Sequence, residues 1–263
     1  MKKLISVILA VALMAVCFAG CGAQGTTLAD VQKAGKLTVA TSPDFPPFES
    51  LGENGEVFGI EIDILNLVCA ELGVELEIQQ IDFDSVLAGV QAGKFNMGAS
   101  GISVTPGRQE NALFTDPYCL AAQAIVVLKD SPITCKADLE GKTIAVQTAT
   151  TAEEYCMQNG YTVNAYTANA DAQAALTSGK VDAWVIDDLT AAEMVKLYNA
   201  ENGETLVVLD EAMTTEPYAF AFMKGSDELV GKINEIINKL VADGTVGEIF
   251  AKYEAPYTAP TVE

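Results

Sequence analysis

Residues Ala99 to Arg108 read Ala-Ser-Gly-Ile-Ser-Val-Thr-Pro-Gly-Arg, and Phe114-Thr-Asp-Pro-Tyr118 follows. Hydroxyls at Ser100, Ser103 and Thr105, a glycine at Gly101 that lets backbone N–H groups come close, and the Arg108 guanidinium together suit a small carboxylate. Arginine offers a carboxylate two parallel donors, a geometry that lysine cannot copy. Taken alone, the same run reads better as a polar turn after a strand with Arg108 on the surface. Segments farther along favour the site, because they complete the same ligand.

The elements that must position this run alternate regularly. Leu37–Ala40 is a strand candidate that delivers the run Thr41 to Glu49, where Pro43, Pro46 and Pro47 forbid a helix and stiffen the path. Phe45 in that loop is placed as a ligand wall, and Phe48 as core. Ile60, Ile62, Ile64, Leu65, Leu67, Val68 and Leu72 mark an apolar helix closed by Gly73. Asp63 within it is expected to bond nearby backbone. Val74–Ile78 alternates as a strand, Phe83 to Gly93 reads as a helix, and Phe95–Ala99 is the next strand. This rhythm belongs to an α/β layer with a mainly parallel sheet, whose ligands sit beyond the carboxyl ends of the strands. The regions of Ser42, Phe83 and Ser103 fall there.

The apolar run Ala121–Leu128 carries the chain elsewhere and the rhythm restarts. Lys142–Val146 is a strand, and Gln147-Thr-Ala-Thr-Thr151 turns into a helix. Thr151 and Glu154 have capping-box spacing, so the helix start either faces an anion or is a plain cap. Val181–Ile186 is a strand ending in Asp187-Asp188, where one carboxylate suits an ammonium group and the other a helix cap. Leu206–Leu209 and Tyr218–Met223 read as strands, the latter also as a second apolar crossing. An apolar stripe from Leu229 to Val241 marks a helix, and Thr245 with Glu248 spaces a capping box for a last one. Two α/β blocks joined by two crossings predict a two-lobed body with a cleft.

The chain has 263 residues, 50% of them apolar, enough for one or two domains with their own cores. It begins Met1-Lys2-Lys3, runs apolar from Leu4 to Val16 and then reads Cys17-Phe-Ala-Gly-Cys21. A basic start, an apolar run short for a membrane span and small residues at its end predict a secretory signal over residues 1–20. Ala19-Gly20-Cys21 resembles a bacterial lipobox, with Phe18 where leucine is usual, and makes Cys21 the lipidated first residue of the mature chain. An uncleaved anchor is the alternative. Residues 21–36 are then the anchored tether, small and polar at first.

Without the signal, 13 basic and 36 acidic residues remain, a net charge of −23 that repels nucleic acid. With no histidine in the chain, zinc chemistry and Ser-His-Asp hydrolysis are disfavoured, and no metal or cofactor is expected. Cys69 falls in an apolar helix and is expected as a buried thiol. Cys119, Cys135 and Cys156 have no metal-type spacing, and export permits a disulfide among them without choosing the pair.

From about Leu37 to Tyr253 the segments together resemble the bacterial extracellular solute-binding proteins of family 3. The resemblance is carried by Thr41-Ser-Pro-Asp-Phe-Pro-Pro-Phe-Glu, Gly59-Ile-Glu-Ile-Asp-Ile, the Ser100–Arg108 run with its sequel, Gln147-Thr-Ala-Thr-Thr and Val181-Asp-Ala-Trp-Val-Ile-Asp-Asp. It implies a type II periplasmic-binding-protein-like α/β fold, with lobe 1 at 37–120 and 217–255 and lobe 2 at 121–216. It also implies a monomeric, non-enzymatic protein, lipid-anchored outside the membrane, that hands a polar amino acid to an ABC permease. By this resemblance Arg108 pairs with the α-carboxylate, helped by Ser103 and Thr151. Asp187 takes the α-ammonium with groups near Gly101 and Ser103, and Phe45 and Phe83 sandwich the side chain. Ser42, Ser100, Gln147 and Thr150 complete the implied site. Ser42 stands where binders of cationic amino acids often have aspartate, Asp44 is two residues away, and Ala149 replaces a common glycine. Gln147 and Ile186 bring no charge, so the expected ligand side chain is polar and uncharged. The same fold carries extracytoplasmic dehydratases of prephenate or arogenate, the enzyme alternative, and amino-acid sensor modules.

Overall fold

The computed structural model describes residues 25–260. The predicted signal and the lipobox at Cys21 lie outside the described residues. Thr27 opens the first helix, α1 (Leu28–Ala34), through a reciprocal capping box with Asp30. Val31 is buried, the Thr26 N–H donates to the Ser226 hydroxyl (2.9 Å), and a Cβ on Gly25 would lie 2.1 Å from the Gly225 carbonyl carbon. The expected tether is therefore packed against the body from about Gly25 onward.

β1 (Lys36–Thr41) leads to a small antiparallel sheet of β2 (Asp44–Phe45), β3 (Glu49–Leu51) and β4 (Val57–Phe58). α2 (Ile60–Leu72) follows, closed by Gly73 in the left-handed conformation, and then β5 (Glu75–Gln80), α3 (Phe83–Gln91) and β6 (Met97–Gly98). Short α4 (Pro106–Asn111), β7 (Ala112–Phe114) and β8 (Cys119–Ala121) precede β9 (Gln123–Leu128). The second block runs β10 (Thr143–Gln147), α5 (Thr151–Gln158), β11 (Thr162–Tyr166), α6 (Asn169–Thr177), β12 (Ala183–Asp187), α7 (Asp188–Asn202) and β13 (Leu206–Val208). β14 (Glu216–Tyr218), β15 (Ala221–Met223), α8 (Asp227–Ala242) and α9 (Thr245–Lys252) complete it.

Two five-stranded sheets result, ordered β5-β1-β6-β15-β7 and β11-β10-β12-β9-β13. Each has three parallel strands and then one that returns antiparallel, β15 in the first and β9 in the second. Helices cover both faces, so the central strands are apolar throughout. Along β12, Trp184 and Ile186 enter one core cluster and Ala183 and Val185 another; β9 divides the same way.

That double burial corrects the expected crossings. β9 and β15, the apolar runs read as connections, are interior sheet strands. The crossing itself is the antiparallel pair β8–β14 just beside them, with Tyr118 on Tyr218. Residues after α9 stay on this hinge: Leu120 donates to the Thr258 carbonyl, and the Tyr257 hydroxyl donates to the Tyr118 carbonyl (3.1 Å). Two helix starts also shift. Thr150, not Thr151, caps α5, and Gly244 in a left-handed conformation precedes α9 without a side-chain cap, because the Thr245 hydroxyl turns back to Asp243. Asp63 leaves the backbone and pairs with Lys252 on α9 (2.5 Å). Cys69, Cys119 and Cys156 are buried free thiols and Cys135 a half-buried one; burial pushes Cys69 up to about 11.

The amphipathic stripe of α8 is buried at Leu229, Val230, Ile233, Ile236, Ile237 and Leu240, against α2 and α9. Ile233→Ala is expected to cost about 2–5 kcal/mol in urea unfolding, from lost burial and the cavity left behind. Glu235→Ala, on the exposed face of the same helix, is expected to stay within about 0.5 kcal/mol.

Candidate functional site

The carboxyl ends of the central parallel strands of both sheets converge on one narrow cleft. From the first lobe Phe45, Phe83, Ser100, Gly101, Ser103 and Arg108 line it; from the second come Gln147, Thr150, Thr151 and Asp187. Ser42 does not line this cleft. It is buried one step behind, its hydroxyl donating to Asp44 (3.1 Å), and Asp44 takes the wall position instead.

Arg108 sits in the first turns of α4, where Thr105 caps the helix and Pro106 occupies the first turn. Its Nη1 donates to the Ser103 carbonyl (2.9 Å), and its Nη2 reaches across the cleft to the Ala149 carbonyl (3.1 Å). Two of five guanidinium donors are thus used, and enough remain for a bidentate carboxylate. Phe83 lies under the guanidinium, 5.8 Å from ring centre to Cζ. Burial pulls the Arg108 pKa down, while Glu216, Asp187 and Glu154 oppose the shift.

Gly101 holds φ at +54°, and a Cβ there would come within 2.5 Å of the Phe45 ring. Only glycine lets the backbone turn this close beneath an aromatic wall. In the second lobe, β10 ends at Gln147 and the chain passes through Ala149 at φ +64°. Ala149, where the family resemblance led to glycine being expected, itself takes the left-handed conformation. Thr150 then caps α5, accepting from the Glu153 N–H (3.2 Å) and donating to the Gln147 carbonyl (2.7 Å). Thr151 is left with its hydroxyl at the cleft, accepting from Gln123 Nε2 (3.2 Å).

Asp187 ends β12 opposite Gln123 in the sheet register, 7% exposed, and its side chain does not cap α7. Asp188 takes the backbone work, accepting from Ala122 and Leu189 N–H groups. Burial raises Asp187 to about 7, and the charge on Glu216 adds to the shift. Asp187 Oδ1 and Gln123 Oε1 are buried acceptors without partners among the described residues, an acceptor set suited to a hydrogen-bond-donating cation such as an ammonium group.

Asn169, Glu49 and Glu61 escaped the sequence reading, and Asp44 entered it only as a neighbour of Ser42. Asp44 Oδ2 accepts from the Asn169 N–H (2.8 Å) and Gln147 Nε2 (3.3 Å), so its carboxylate joins the two lobes. Asn169, at the start of α6, also donates through Nδ2 to Gln147 Oε1 (3.0 Å). Glu49 and Glu61 are fully buried behind Ser100 and Gly101. The signal for Glu61 was present as a carboxylate set among Ile60, Ile62 and Ile64 in an apolar helix.

Residues 37–256 match the model of the bacterial extracellular solute-binding proteins, family 3. The chain belongs to that family. It is 28% identical to an L-cystine-binding protein of Escherichia coli over 94% of this chain and 92% of that relative. A solved structure of a mutant of ArgBP from T. maritima is 33% identical, covers 86% of this chain and 98% of its own, and superposes with a TM-score of 0.79. An ancestral amino acid-binding protein, a precursor of cyclohexadienyl dehydratase, is 34% identical over 86% and 98% with a TM-score of 0.78. The two-lobed α/β fold is thus that of amino-acid-binding proteins, and the family is one of extracytoplasmic binding proteins.

The site's electrostatics carry a pH signature. In the unfolded chain Asp187 ionises at its ordinary value, whereas in the fold it holds its proton to about 7, so stability drains as pH rises from about 4 to 7. Asp187→Asn is expected to make the ligand-free protein about 2–4 kcal/mol more stable than wild type at pH 8, and similar to it at pH 4, by urea unfolding.

Proposed function

We propose that this protein is the extracytoplasmic receptor of an ABC importer and closes on an amino acid with a polar, uncharged side chain. The observation that carries the reading is that one cleft receives Arg108 from one lobe and the buried carboxylate of Asp187 from the other. A zwitterion satisfies both at once: its carboxylate takes the free Arg108 donors beside Ser103 and Thr151, and its ammonium takes Asp187. Phe45 and Phe83 then flank the side chain, and Ser100, Gly101, Gln147 and Thr150 close the remaining wall. In a shielded cleft such charge pairs are diluted less by water. A ligand that touches both lobes favours the closed state by its differential contacts. Cys21 anchors the mature monomer by lipid at the outer face of the membrane, and the protein catalyses no reaction.

An uncharged ligand side chain is supported by Asp44. Among the described residues, the first-lobe carboxylate on the cleft wall is Asp44, and it is already engaged, by Asn169 and Gln147 through Oδ2 and by Ser42 through Oδ1. A cationic side chain would have to compete with those three donors for it.

A thermal-shift screen of the mature, delipidated chain against the amino acids, cystine, citrulline, ornithine and prephenate tests the reading. A ligand at a hundredfold its Kd adds about 2.7 kcal/mol of stability. Stabilisation by one or a few neutral polar amino acids, recovered unchanged, supports the receptor; consumption of prephenate overturns it in favour of the dehydratase. Arg108→Ala is expected to abolish binding of every α-amino acid alike, measured by calorimetry. Asp44→Ala removes inter-lobe bonds to a charged acceptor, each worth about 1.5–3 kcal/mol, and is expected to weaken binding about 10- to 100-fold. Unaltered affinity in that variant would remove Asp44 from the closure contacts.

A further inference from the structure

Glu49 on β3 and Glu61 on α2 are buried side by side, 0% and 1% exposed. Three of the contacts they accept are to groups that shape the cleft. Glu61 Oε1 accepts from the Gly101 N–H (3.2 Å) and from the Tyr118 hydroxyl (2.7 Å), which stands at the start of the hinge strand β8. Glu49 Oε1 accepts from the Ser100 hydroxyl (2.8 Å), which itself accepts from the Ser42 N–H (3.1 Å). The Oε2 atom of each carboxyl is buried and meets no donor. The two carboxyls contact one another, and neither takes part in a salt bridge among the described residues.

We propose that Glu49 and Glu61 share one proton, and that the pair positions the Ser100–Gly101 wall of the cleft and ties it to the hinge at Tyr118. Two ionised carboxylates in contact would be four acceptors and no donor, with like charges in a dry interior. One proton turns the two orphan oxygens into donor and acceptor, the only arrangement that satisfies both from residues present. The other titratable groups facing the pair are Asp44 from β2, Tyr118 and Cys119; the first is acidic, and the others hold their protons, both raised by burial. None supplies a positive charge. Burial accordingly raises Glu61 to about 7 and Glu49 well above its ordinary range.

The geometry separates a shared proton from a merely buried pair by the response to glutamine. In Glu61→Gln the amide oxygen keeps Gly101 and Tyr118, and the amide nitrogen donates to Glu49 where the proton sat. Glu49→Gln does the same in mirror image. The double variant sets two amide groups face to face, one donor too many on each side. Thermal unfolding from pH 5 to 9 reads this, in the Asp187→Asn background so that Asp187 does not titrate. The parent is expected to lose stability as pH rises from about 5 until the shared proton leaves, near 7 or above, each single glutamine to show a flatter profile, and the double variant to melt below both singles at every pH. A double variant as stable as the singles, or a Glu61→Gln profile as steep as the parent's, overturns the shared proton. So does failure of both single variants to fold.

Positioning is read separately, by hydrogen exchange at the Gly101 amide, which needs no ligand. Glu61→Ala is expected to speed exchange tenfold or more, and Glu61→Gln to restore most of the protection. Equal protection in the alanine variant overturns the positioning role. Affinity for the ligand found in the screen should follow the same order; this arm alone rests on the receptor reading, so its failure with the other two intact counts against that reading and not against the pair.

Discussion

Charge held out of water must be met by charge, and the cleft of this protein is arranged around that constraint. Arg108 and Asp187 stand on different lobes, each desolvated, and each shifted by burial toward its neutral form. Brought together alone they would lose hydration for one mutual attraction, an exchange that seldom gains much. A zwitterion placed between them changes the sum, because each protein charge then meets an opposite one with directed hydrogen bonds. The free energy of closing is therefore conditional on what fills the cleft, which is what a receptor requires of its moving parts.

The fold supplies the geometry by repetition. Both sheets run parallel over three strands, and their carboxyl ends deliver the polar loops: Thr41 and Ala99 lead to the Asp44 and Ser100 regions, Gln147 and Asp187 to the opposite wall. In each sheet an antiparallel strand lies next, β15 or β9, and beside it the chain crosses to the other lobe through β8 or β14. The aromatic group of Tyr118, Tyr218, Phe45 and Phe48 at the junction joins wall to hinge without exposing apolar surface.

What the sequence discloses here depends on how local the cause is. The alternation of elements was legible because period, glycine stops and proline-stiffened loops act over a few residues, and the Ser100–Arg108 run was legible because its chemistry is contiguous. Ten of the cleft-lining residues were expected, several of them only through the resemblance to the family. The crossings misled because an apolar run buried on both faces of a sheet reads like an apolar connection. The cap of α5 slipped by one residue because Thr150 and Thr151 each have a glutamate three residues on, Glu153 and Glu154. Asp44, Asn169, Glu49 and Glu61 act through partners 40 to 125 positions away, and no pattern within a window brings them together.

Specificity and closure share residues in this cleft, which limits how each can change. Gln147 lines the pocket and also donates to Asp44 and to the Thr167 carbonyl, while its amide oxygen accepts from Asn169. Its amide is thereby fixed in orientation by three partners on two lobes. A side chain with a free carboxylate or ammonium group reaching this wall would have to break an inter-lobe bond for each one it formed, and so would weaken the closed state that holds it. A neutral donor–acceptor group meets a wall whose polar atoms are already paired and loses nothing of the closure. On the proposed reading, discrimination against charge would arise from the bonds that shut the lobes, without a dedicated repulsive residue.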